Sequence, residues 1–148
     1  MATSAPPFPL CTAETKPVLR IFIADTEGVF RLGLQRLFAA ESDICVVCET
    51  DQPGELLSRV AELQPDVMFV QLEMLGPDSQ SVLQELRGAA AGTKLVVMAS
   101  AICEDDALAF MKLGARGVIL RTAEPALFAK CARKVAGSDP GRRSATRR

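Results

Sequence analysis

Histidine is absent from the chain, and so are tryptophan and tyrosine. The first absence removes general-base histidines, imidazole metal ligands and phosphohistidine relays from the roles open to it. The second leaves no indole or phenol to stack a flavin. No apolar run approaches the roughly 18 residues that cross a membrane. The N-terminal stretch MATSAPPFPLCTAETKP lacks a basic segment followed by a continuous apolar one, so it does not read as a secretory signal. A cytoplasmic protein without a membrane partner is the expectation.

What is present suits a single domain: 148 residues, 49% of them apolar. Prolines at 6, 7, 9 and 17 argue against regular structure early on, so residues 1–16 are expected to be a disordered Pro-rich leader. Residues 17–137 are the expected folded domain and 138–148 a basic disordered tail. Between Val18 and Gly137 there are 16 acids and 12 bases, whereas the closing GRRSATRR has four arginines and no acid. That tail offers charge but no helix to read bases, which speaks against direct DNA binding. Five cysteines in a cytoplasmic chain point to free thiols. Cys45 and Cys48 form a C-x-x-C within a β-rich run. Strand positions three apart face opposite sides, so the expectation is two buried core thiols, neither a bridge nor a metal pair.

Apolar, β-branched runs at 18–24, 43–49, 66–72, 93–100 and 117–121 read as strands. Between and after them, 29–40, 53–63, 78–88, 104–115 and 124–137 carry helical periodicity. Pro53 and Pro125 mark helix starts, and Gly88 and Gly114 mark helix ends. Strict alternation without hairpin signals predicts an α/β fold, a single doubly wound five-stranded parallel sheet of order 2-1-3-4-5. A ligand crevice then lies beyond the C-terminal ends of strands 1 and 3. Asp25, Thr26, Gln71, Ala99, Ser100 and Arg121 all fall at strand ends facing it.

The segments VLRIFIADTEGVFRLGLQRLF, LQPDVMFVQLEMLG, KLVVMAS and LGARGVILRTAEPALF together resemble a two-component response-regulator receiver domain of the NarL/FixJ type. The resemblance covers residue 18 to about 137 and implies the flavodoxin-like receiver fold. It also implies a phosphorelay role based on an aspartate at the end of strand 3, an acidic pair after strand 1 that holds Mg²⁺, a hydroxyl ending strand 4 and a lysine ending strand 5. Matched by position, the phosphoacceptor is Gln71 and the acidic pair is Asp25 and Thr26. The switch hydroxyl is Ala99, the switch aromatic Val118, and the lysine Arg121. The family's proline and glycine beyond the acceptor are Leu75 and Ser79.

These departures have chemical consequences. Phosphoryl transfer needs an oxygen nucleophile and a cation on the equatorial oxygens. The Gln71 amide is neutral and non-nucleophilic. Asp25 alone, with an arginine nearby, makes at most a weak Mg²⁺ site, so no cofactor is expected. Ser100 points to the face opposite Ala99 and does not replace a hydroxyl there. Two readings of Gln71 stay open: an amide bridging Asp25 and the strand 4 end, or a position no longer used. Arg121 could pair with Asp25 as counter-charge.

The expected function is therefore a non-enzymatic, receiver-like signalling module with a degenerate phosphorylation site, a pseudo-receiver acting through protein–protein contacts. Its partners would be a second copy (a homodimer), a histidine kinase or a response regulator. The alternative is the remnant or separated receiver part of a NarL/FixJ-type transcriptional regulator lacking its helix-turn-helix. An enzyme or nucleotide-binding protein on the same fold is disfavoured, because the loop ADTEGVF offers no glycine-rich phosphate cradle.

Overall fold

Each central strand feeds two cores, which is why its sequence is apolar throughout rather than alternating. In the computed structural model, which describes residues 18–137, five strands form one parallel sheet. They are β1 (Leu19–Ala24), β2 (Ile44–Thr50), β3 (Val67–Gln71), β4 (Lys94–Ala99) and β5 (Gly117–Leu120). Their spatial order is β2-β1-β3-β4-β5. The leader expected at 1–16 and the tail expected at 138–148 lie outside the described residues.

Five α-helices cover the sheet: α1 (Gly28–Ala39), α2 (Leu56–Leu63), α3 (Ser79–Ala89), α4 (Glu104–Lys112) and α5 (Ala126–Ala136). Ile21, Ile23, Val67, Phe69, Val96, Met98 and Ile119 face one core with Leu34 and Phe38 of α1 and Phe128, Ala132 and Val135 of α5. Their strand neighbours Phe22, Met68, Val70, Leu95 and Val97 face the other, with residues of α2, α3 and α4. Leu127 of α5 is exposed, whereas Ala129 and Ala136 lie on the buried stripe of that helix.

Several boundaries differ from the sequence reading for local reasons. Pro53 opens a 3-10 turn, Pro53–Glu55, before α2, and a second one, Leu72–Leu75, directly follows β3. Gly88 lies inside α3, which runs to Ala89. Pro125 sits just before α5. Gly114 does follow α4, at φ +111°, a conformation that L side chains rarely adopt. Arg87 Nη1 donates to the Leu113 carbonyl at 3.0 Å, and a Cβ on Gly114 would overlap the Arg87 side chain. Gly114→Ala is expected to cost about 1–3 kcal/mol, mostly backbone strain, read as a shifted urea midpoint at unchanged slope.

The C-x-x-C reading needs correction. The β1–β2 register slips between Ile21 and Phe22, so that Val46 pairs with Ile21 but Cys48 with Phe22. Val47 is thus the extra residue of a β-bulge. Cys45 lies opposite Arg20 and Cys48 opposite Phe22, positions two apart on β1, so both cysteines share one face. Both are buried, as core residues should be. Cys45 is disulfide-bonded rather than free, while Cys48, Cys103 and Cys131 are free thiols.

Candidate functional site

Strand parity brings the polar residues together. Asp25, Gln71 and Arg121 each stand two residues beyond Ile23, Phe69 and Ile119, which all face the core under α1 and α5. The three polar positions therefore continue the same face past the sheet's C-terminal edge. Ala99 belongs to the opposite phase, with Leu95 and Val97.

Asp25 is fully buried. Its Oδ2 accepts from Arg121 Nε at 3.1 Å, and its Oδ1 accepts from Arg121 Nη2 at 2.9 Å. Oδ1 also accepts the Glu27 N–H at 2.8 Å. The fork-on-carboxylate geometry is the strong, directional form of an ion pair. Arg121 Nη2 reaches Glu27 Oε1 as well, at 3.0 Å. The guanidinium carbon lies 4.3 Å from the centroid of Phe30, a cation–π placement. Phe30 in turn packs edge-on against Phe128, with 6.0 Å between centroids. Arg31 Nη1 donates to the Asp25 carbonyl at 2.7 Å while its Nε pairs with Glu49.

Gln71 is buried, and its amide does something other than bridge Asp25 to β4. Its Oε1 accepts the Thr26 N–H at 2.7 Å and the Thr26 hydroxyl at 2.9 Å. Thr26 itself is exposed at the mouth of the crevice. Ala99 is fully buried, and its carbonyl accepts the Arg121 N–H at 2.8 Å. Ser100 is exposed. Val118 packs against the core on the α2, α3 and α4 side, away from the polar cluster. Asp25, Glu27 and Arg121 thus form one bonded cluster and Thr26 and Gln71 another, side by side through the Asp25–Thr26 peptide, and Ala99 joins the first through its backbone alone.

A sequence profile of the response regulator receiver domain matches residues 21–132, most of the chain. The chain belongs to the response regulator receiver domain family. It is 27% identical over 123 residues to the transcriptional regulatory protein LiaR of Bacillus subtilis, covering 83% of this chain and 58% of LiaR. The nitrate/nitrite response regulator protein NarL of Escherichia coli K12 is 27% identical over 119 residues, covering 80% of this chain and 55% of NarL. The chain therefore spans little more than half the length of these relatives. In fold it matches the signal receiver domain of a NarL response regulator from Mycobacterium tuberculosis with a TM-score of 0.75 and 21% identity, over 82% of this chain and 98% of that one. The NarL/FixJ type and the two-component assignment follow from these matches.

Burial pushes the Asp25 carboxyl above its ordinary range; the Glu27 N–H and the Arg121 charge offset only part of that. Burial works against the Arg121 guanidinium too, but its bonds to Glu27 and Asp25 outweigh this and hold it above its usual value. A receiver's Mg²⁺ does not fit these residues as arranged. Both Asp25 oxygens face the guanidinium, and Gln71 Oε1 already takes two donors. Among the described residues no group of three or more His, Cys, Asp or Glu side chains is placed to hold a metal.

Sequence reading missed Glu27, Phe30 and Arg31. Glu27 carried one usable signal: it is the acid next to Thr26, the position where the second acid is missing. Phe30 and Arg31 carried none beyond their place in the helical run 29–40. Only the path of the Arg121 side chain over α1 gives Phe30 its part in the site.

Proposed function

We propose that this receiver domain is a non-enzymatic signalling module whose state is not set by phosphorylation at position 71. It acts through protein–protein contacts, with a second copy, a histidine kinase or another response regulator as the class of partner. The observation that carries this reading is the state of Gln71. Its carbonyl oxygen is held by two donors from Thr26, and an amide has neither the charge nor the basic oxygen that in-line attack on phosphorus needs. The bonds from Thr26 fix the β1–α1 loop on β3 without a phosphoryl group.

Acetyl phosphate or beryllofluoride with Mg²⁺ tests this on the full chain, beside Gln71→Asp. The expected wild-type result is no mass gain of one phosphoryl group and no amide shifts clustered around residue 71. A stoichiometric acyl phosphate on wild type would falsify the proposal.

A second reading is the receiver part of a NarL/FixJ-type transcriptional regulator, favoured by the matches to LiaR and NarL. A sequence-specific, salt-dependent shift of DNA by this chain alone would give the described domain or its flanks a direct role in reading bases.

A further inference from the structure

Two carboxylates from different residues converge on a single atom of the chain. Arg121 Nη2 lies 2.9 Å from Asp25 Oδ1 and 3.0 Å from Glu27 Oε1. Asp25 Oδ1 also accepts the Glu27 N–H, so the two residues are tied together at their base. The guanidinium is anchored at both ends of its side chain: Phe30 lies against its charged head, and the Arg121 N–H is held by the Ala99 carbonyl. The Arg121 side chain is only 10% exposed, whereas that of Glu27 is 63% exposed.

We infer that this pocket is a cation site filled by the chain's own guanidinium, with Glu27 supplying the second carboxylate and Arg121 shutting out divalent ions. The charge count supports it: Asp25 and Glu27 both touch the Arg121 guanidinium, while the neighbouring Arg31 is matched by its own partner, Glu49. Sterics support it too. A Mg²⁺ or Mn²⁺ ion bound to Asp25 needs carboxylate oxygens at about 2.0–2.2 Å, and both Asp25 oxygens are covered by Nε and Nη2. With the guanidinium removed, Asp25 and Glu27 would face a shared vacancy of the right charge. Nothing in this inference depends on whether Gln71 is reactive.

Mn²⁺ alone, followed by the loss of its free-ion paramagnetic resonance signal, is the probe. The full chain is compared with Arg121→Met, which keeps an apolar stem over Phe30 but removes the charge and the fork. Arg121→Met is expected to bind one Mn²⁺ at least about tenfold more tightly than wild type, through release of the resident positive charge. Adding Glu27→Gln to Arg121→Met should return most of that gain. Equal affinity in wild type and Arg121→Met would overturn the inference, as would a gain that Glu27→Gln leaves intact. If Arg121→Met does not fold, Arg121→Lys carries the test. Its single ammonium frees at least one Asp25 oxygen, so an affinity no higher than wild type overturns the inference equally. Because no phosphoryl donor is present, failure here is separate from failure of the reading of Gln71.

Discussion

Phe69→Ala is expected to cost about 3–5 kcal/mol of folding free energy, the range for emptying an aromatic site in a packed core. Phe69 is fully buried on the central strand β3. Its ring lies 5.5 Å from that of Phe38 on α1 and 6.3 Å from that of Phe128 on α5. It touches an aromatic ring of each helix at once. Truncation leaves a cavity that three different elements would have to close, and a helix can close it only by shifting along its whole length. Small domains hold about 5–15 kcal/mol in total, so the loss is a large fraction of the stability. Urea unfolding should show a lower midpoint at unchanged slope. Val29→Ala on the same layer is the control, since Val29 is 87% exposed and its truncation should stay within about 0.5 kcal/mol. A Phe69→Ala midpoint close to that of Val29→Ala would show that the three rings do not act as one packing unit.

The same layering explains what could be read in advance. A strand buried on both sides carries unbroken apolar sequence, and runs such as IFIA and VMFV allow no other placement than the interior of a covered sheet. Alternation with helices then leaves few topologies, and the observed order is the one that parallel crossovers favour. Positions at strand ends were legible for the same reason, because each apolar run stops at a polar residue: Asp25 after β1, Gln71 closing β3 and Arg121 after β5. Side-chain partners were not legible. Gln71 accepts from Thr26, a choice that depends on where the β1–α1 backbone N–H points. The bulge at Val47 was equally hidden, since Val-Val inside a strand carries no bulge signal, and it reversed the expected facing of Cys45 and Cys48. The Cys45 disulfide belongs to the same class: spacing limits which thiols can meet but does not choose among them.

Arg121→Met is expected to destabilise the fold by about 3–5 kcal/mol near neutral pH, because it strands a buried carboxylate without its partner. The size comes from what is left behind. Asp25 is fully buried, and once the guanidinium is gone only the Glu27 N–H still compensates its charge. The loss should depend on pH, with a definite sign. Burial already holds the Asp25 carboxyl above its ordinary range. A carboxyl raised in the folded state favours folding below its unfolded value, and that contribution is lost as pH rises through the folded value. Arg121→Met raises Asp25 further, so the penalty should be full near pH 7 and shrink toward about pH 4, where Asp25 takes up a proton instead of bearing an unpaired charge. Asp25→Asn combined with Arg121→Met removes the stranded charge, and the pair should be more stable near neutral pH than Arg121→Met alone. Unfolding curves at the two pH values for wild type, both single variants and the double variant decide it. A penalty that is independent of pH, and that Asp25→Asn does not relieve, would mean that Arg121 matters through its packing on Phe30 and not through its charge.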